Sequence, residues 1–264
     1  MLVDSHAHLD MEDFDGDRKL ILERAEKAGV KAILCPFEIS SSSSRNKTLA
    51  LCRTQKNIFA AGGVHPHQAS QFREQHRKKL IEMAKKGTIH AIGEIGLDFF
   101  YNYSLPDIQR KVFREQLILA EEVDLPVIIH SRNAGPDVCQ IVRETQFTRG
   151  GVLHCFSEDE TTANHMLEEG FYISFSGILT FPKAQSVRDI AAKIPMERLL
   201  VETDSPYLTP VPFRGKIKRN EPAYVVETAR VLAGLRKMPF KNLADQTTLN
   251  FKTVFAIEIK VARC

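Results

Sequence analysis

The stretch Leu2-Val3-Asp4-Ser5-His6-Ala7-His8 is a short apolar strand running into polar residues. An open, doubly wound α/β sheet usually carries a glycine-rich turn just after its first strand. Here that turn holds Asp-Ser-His-Ala-His instead. Strand side chains alternate between faces, so His6 and His8 face the same way. Two imidazoles on one face make a pincer for zinc, manganese, iron or nickel. A lone His-x-His is more often surface or satisfied core, so the reading depends on what other strands bring to it.

Working outward, apolar runs alternate with helical spacing. A helix is expected over Lys19 to Ala28, closed by Gly29, and then an apolar run from Ala32 to Cys35. The serines at 40–44 suit a loop that caps a helix from Asn46 to Gln55. Ile58 to Val64 reads as a strand ending in His65-Pro66-His67, with a basic helix from Glu74 to Lys86. Strands over His90 to Ile95, Val127 to His130, Gly151 to Phe156, Tyr172 to Ser176 and Leu199 to Asp204 follow. Their helices are placed at Asp107 to Glu122, Gly135 to Glu144, Glu160 to Glu169, Lys183 to Lys193 and Pro222 to Gly234. A further C-terminal helix lies between Lys241 and Ile257. Short apolar strands are the mark of a parallel sheet buried on both faces. Eight strand–helix units in 264 residues predict an α/β protein, a single (β/α)8 TIM barrel domain over residues 1–264 with an additional C-terminal helix.

Composition fits an ordinary globular chain, with 43% hydrophobic and 26% charged residues. The net charge of +3 permits a polyanionic partner without requiring one. Five cysteines, an odd number without a Cys-x-x-Cys, read as reduced thiols in a cytoplasmic protein. No signal peptide and no run of 18 apolar residues is expected, which excludes a membrane span.

The strand ends collect the chemistry. Of nine histidines, His6, His8, His65, His130 and His154 fall at strand ends, as do Glu94, Glu202 and Asp204. In a barrel these ends meet at one mouth. His154 and Cys155 are adjacent, so if His154 points inward Cys155 points out, a small filler under the helices. Glu202 and Asp204, two apart, face the same way and call for a neutralising cation. The candidate ligands are His6, His8, Glu94, His130, His154 and Asp204. Six are too many for one open tetrahedral site and suit two ions, with Glu94 placed to bridge. Such a pair lowers the pKa of a shared water and clamps both oxygens of a displacement, so metal-assisted hydrolysis is the inferred class.

These residues resemble the TatD family of metal-dependent deoxyribonucleases, among the amidohydrolase-like barrels. The matching stretches are Asp4-Ser5-His6-Ala7-His8, Gly63-Val64-His65-Pro66, Gly93-Glu94-Ile95-Gly96-Leu97-Asp98 and Ile129-His130-Ser131-Arg132. They continue with His154-Cys155-Phe156-Ser157, Glu202-Thr203-Asp204-Ser205-Pro206-Tyr207-Leu208 and Arg219-Asn220-Glu221-Pro222, in family order. The resemblance implies two divalent ions per subunit (Mg2+ or Mn2+ in function, or Zn2+) and hydrolysis of phosphodiesters in single-stranded DNA or at 3′ ends. It also implies that His65 touches the substrate phosphate or leaving group, with Arg132 near the same phosphate. Departures lie at Tyr101, where the family often has Arg after an aromatic pair, at Asn133, often Asp, and at Glu158, usually Gly. None is a ligand position.

The expected mechanism has Asp204 orient or deprotonate the attacking water while Glu202 supports the ligands from behind. Arg214, Lys216, Lys218 and Arg219 follow the eighth strand, and Arg219 is a candidate phosphate contact. Phe99, Phe100, Tyr101 and Tyr103 either stack on an unpaired base or pack their loop, with packing the favoured reading. The alternatives are an ester hydrolase acting on D-aminoacyl-tRNA or a small molecule, and an inactive barrel used for binding. Small-molecule amidohydrolases often bridge their metals with a modified Lys on the fourth strand; here that strand carries Glu94. No membrane association and no obligate protein partner is expected.

Overall fold

The structure is a computed structural model in which residues 1–260 are described. The C-terminal limit of the expected domain and the thiol of Cys264 lie outside the described residues. Eight parallel strands run in chain order: β1 (Leu2–Asp4), β2 (Val30–Glu38), β3 (Ile58–Gly63), β4 (Ile92–Asp98), β5 (Val127–Arg132), β6 (Gly151–Leu153), β7 (Tyr172–Phe175) and β8 (Leu199–Val201). Each pairs with the next. The ring closes where Ser5 N–H donates to Val201 O and Asp204 N–H to His6 O. The result is the expected TIM barrel.

Helices α1 (Arg18–Lys27), α2 (Ser42–Thr54), α3 (Glu74–Lys85), α4 (Pro106–Glu122), α5 (Gly135–Glu144), α6 (Glu160–Glu168), α7 (Gln185–Ala191) and α8 (Val225–Leu235) alternate with the strands. Their starts follow local chemistry. Ser41 caps α2 by accepting from Ser44 N–H, and Asp159 caps α6 by accepting from Thr162 N–H. The expected additional helix, α9 (Phe240–Phe255), has a definite job. Phe251 and Phe255 cluster with the barrel residues Val3, Leu34, Ala61, Ile128, Val152 and Leu200. Small side chains at Ala32, Ala61 and Ala91 share this cluster and leave room for the aromatic pair. One end of the barrel is thereby filled, and chemistry is confined to the other.

Two strands end three residues sooner than their apolar runs suggest. β6 stops at Leu153 and β8 at Val201, whereas strands to Phe156 and Asp204 were expected. Beyond those points the backbone turns left-handed, at Cys155 (φ 46°) and Asp204 (φ 54°). Side-chain alternation therefore does not extend to Cys155. Contrary to expectation it lines the mouth, with Sγ 3.2 Å from Ser176 Oγ. Gly96, by contrast, is required by close approach: at φ +130°, a Cβ there would sit 2.1 Å from His130 O. That glycine lets β4 and β5 draw together, and those strands deliver Glu94 and His130.

Candidate metal centre

A cavity of about 800 Å3 opens at the C-terminal mouth. His8, His65, Glu94, Arg132, His130, His154 and Asp204 line it. His6 is fully buried beneath, its ring stacked on that of His154 at 4.0 Å. The histidines placed at strand ends by the sequence therefore do converge.

Glu94 organises them, because its two oxygens face different groups. Oε1 lies 2.8 Å from His130 Nδ1 and 2.8 Å from His154 Nε2, and those nitrogens are 3.4 Å apart. Oε2 lies 3.3 Å from His6 Nε2 and 3.6 Å from His8 Nε2, which are 3.2 Å apart. Asp204 Oδ1 joins this second group, 3.4 Å from His8 Nε2 and 3.9 Å from His6 Nε2. Ligand atoms at opposite corners of bonds of about 2.1 Å to a tetrahedral ion stand about 3.4 Å apart. The spacing of both groups thus fits a divalent ion.

The charges point the same way. Burial opposes charge on every group here. At Glu94 the His154 and His65 imidazoles outweigh it and hold the carboxyl well below its usual range. At His8 the Asp204 hydrogen bond and the Glu94 charge prevail, lifting the imidazole to about 9. His154 is likewise raised by Glu94 and Glu202, and His130 by Asp98 and Glu94. The carboxylates thus draw positive charge into the cavity, and a metal ion can replace those imidazole protons. Asp10, Glu38, Glu94, Asp98 and Asp204 face the cavity against one guanidinium, that of Arg132, among the described residues. An anionic substrate would be repelled there without added cations.

Behind the inward nitrogens stand further carboxylates. Glu202, fully buried, is 3.2 Å from His154 Nδ1 and accepts from Cys155 N–H at 2.7 Å. It does not line the cavity. Asp98 Oδ2 is 3.1 Å from His130 Nε2 and 2.9 Å from His67 Nε2. Such contacts fix the tautomer and orientation of a ligating imidazole. Asp4, also fully buried, accepts from Thr203 N–H and Oγ1–H and from His6 N–H, tying β1 to the segment that carries Asp204. Burial pushes its carboxyl up to about 8 despite these donors. Sequence reasoning assigned no role to Asp4, Asp98 or His67; all three sit in or beside quoted motifs, which was the available signal.

His65 differs from the other imidazoles. Its Nδ1 accepts from His67 N–H at 3.1 Å, so a neutral ring carries its proton on Nε2. That Nε2 stands 3.3 Å from Glu94 Oε1. Burial also drives its pKa down to about 4, so the ring is a neutral donor. Arg219 is not brought to the cavity. Its guanidinium pairs with Asp17 at 2.8 and 2.9 Å and lies over the Phe14 ring. Arg214 is held over Phe181, 3.7 Å from the ring centroid.

A parallel barrel with imidazoles and carboxylates gathered at its C-terminal mouth is a setting for metal-assisted hydrolysis. The family model described as TatD related DNase matches residues 3–256, and the chain belongs to that family. It is 40% identical to the uncharacterized metal-dependent hydrolase YabD of Bacillus subtilis, over 97% of this chain and 100% of that protein. It is also 40% identical to YcfH of Escherichia coli K12, covering 97% and 96%. The crystal structure of the TatD homolog YjjV from Escherichia coli superposes with a TM-score of 0.90 at 32% identity, over 97% of this chain and 98% of that one. No described helix is long and apolar enough to cross a membrane.

Proposed function

We propose that the protein is a phosphodiesterase that hydrolyses single-stranded DNA, from its 3′ end, with two divalent cations that Glu94 would help to hold. The observation that carries this reading is the division of labour at Glu94, one carboxylate oxygen for each imidazole group. His6, His8 and Asp204 would complete one site and His130 and His154 the other. When bound, such a pair lowers the pKa of water and neutralises charge on the phosphoryl oxygens. Mg2+ and Mn2+ suit the mixed nitrogen and oxygen donors, and Zn2+ suits the imidazoles.

The chain's own residues supply the rest. Asp204 accepts a proton from the attacking water and orients it. His65, with Nε2–H directed into the cavity, donates to the phosphate or the departing oxygen. Arg132 balances charge on the same phosphate. Glu202 and Asp98 hold His154 and His130 in register. Arg219 acts as a brace between the β8 loop and α1 rather than as a phosphate contact. The reading takes the whole chain as one hydrolase domain. It places the protein in the cytoplasm, in keeping with free thiols at Cys35, Cys52, Cys139 and Cys155.

The test is hydrolysis of 5′-labelled single-stranded DNA, abasic DNA and D-aminoacyl-tRNA by purified protein with Mg2+, Mn2+ or Zn2+. Stepwise shortening of the DNA that disappears in Asp204→Asn is expected. Ester cleavage of D-aminoacyl-tRNA with intact DNA would replace this reading by the alternative one.

A further inference from the structure

The loop after β4 carries four aromatic residues, and the structure uses one of them for packing. Phe99 is partly buried against the core, with the Arg110 guanidinium 4.8 Å from its ring centroid. Phe100, Tyr101 and Tyr103 stand 56%, 47% and 69% exposed. The favoured expectation, that all four pack the loop, therefore holds for Phe99 alone. Rings serving as filler would be buried, whereas a contiguous exposed aromatic surface marks a binding site.

These exposed rings are held firmly. Tyr101 and Tyr103 lie parallel, 4° between planes, with centroids 5.4 Å apart. His67 stands edge-on to both, at 5.6 and 4.8 Å. Asp98 fixes His67 through Nε2 and accepts from the backbone N–H groups of Phe100 and Tyr101. The Arg132 guanidinium lies over the Phe100 and Tyr101 rings, at 4.2 and 4.7 Å. One carboxylate thus anchors both the His130 imidazole and the aromatic shelf. Tyr101, Tyr103 and Arg132 line the same cavity as Glu94 and Asp204.

We propose that Tyr101 and Tyr103 form a stacking platform for one unpaired nucleobase of the DNA substrate, beside the phosphate that meets Arg132. This rests on the phosphodiesterase reading above. Every base offers a π-face, so stacking on tyrosine binds without regard to sequence. A base inside a duplex has both faces covered by its neighbours and is denied the platform. The shelf would therefore select single strands, while the metal centre, which meets only phosphate, would not.

The test compares two short single-stranded oligonucleotides in Mn2+, one with bases throughout and one with tetrahydrofuran abasic sites at its 3′-terminal nucleotides. The wild type should show a KM at least about fivefold lower for the base-bearing strand. The variant Tyr101→Leu/Tyr103→Leu should lose that preference, KM for the base-bearing strand rising to that of the abasic one. Tyr101→Phe/Tyr103→Phe should retain it. Equal KM values in the wild type, or a Leu variant that keeps the preference for the base-bearing strand, would overturn the platform. A 3′ 2-aminopurine gives a readout free of turnover: its fluorescence should fall on binding to wild type and not on binding to the Leu variant. If the wild type cleaves neither strand, the phosphodiesterase reading fails, and the 2-aminopurine signal still decides the platform, with no quenching counting against it.

Discussion

The floor and the rim of the barrel mouth are built from different kinds of residue to different ends. On the floor, His6, Glu94, His154 and Glu202 are almost wholly buried, and His154 and His130 are held from behind by hydrogen bonds to Glu202 and Asp98. On the rim, Tyr101, Tyr103 and Tyr207 stand about half or more exposed. Buried imidazoles held by buried acceptors cannot adjust, so the floor fixes where charge is placed. Exposed rings can meet varied partners, so the rim decides what is presented to that charge. The floor should thus govern turnover and the rim affinity.

The sharpest way to break this comparison is at the shared carboxylate. Glu94→Gln keeps the shape and removes the charge common to both groups. It should lower DNA hydrolysis by more than about 100-fold and reduce the metal retained after dialysis, since losing even a supporting residue behind a metal ligand costs about 10–100-fold. Near-normal activity by initial-rate assay would remove the division between floor and rim. Chelation should silence the enzyme reversibly, with activity returning on addition of Mn2+ or Mg2+. A chelator-resistant rate would show that the floor works without metal.

Smaller effects belong to the residues behind the floor. Glu202→Gln and Asp98→Asn should each cost roughly 10–100-fold in kcat or in metal affinity, by steady-state kinetics and metal titration. Asp98→Asn should also raise KM, because Asp98 supports the aromatic shelf; Glu202→Gln should not. A KM effect in both would mean that floor and rim are not separable. Arg219→Ala should leave kcat and KM within about twofold and cost no more than about 1 kcal/mol in unfolding free energy, the worth of a partly exposed ion pair. A large KM increase would restore Arg219 as a substrate contact.

The sequence disclosed the floor better than the rim, for physical reasons. Parallel strands buried on both faces leave continuous apolar runs, so eight units could be counted, and barrel geometry then brings their ends together. His6, His8, His65, Glu94, His130, His154 and Asp204 all converge as that argument required. Alternation misled at Cys155, because β6 ends at Leu153 and the next turn is left-handed. Periodicity carries no trace of such a turn. The Arg219–Asp17 pair links residues 202 apart in the chain, a contact no local pattern reveals. The exposure of Tyr101 and Tyr103 depends on where His67 and Asp98 hold the loop, which only the assembled barrel shows.

The central claim is that Glu94 joins two ions into one centre. It is tested most directly by electron paramagnetic resonance of the metal-free protein titrated with Mn2+. The account predicts an exchange-coupled manganese pair that develops as the second equivalent binds and is lost in Glu94→Gln. A purely mononuclear manganese spectrum at saturation, or saturation at one ion per chain, would contradict it.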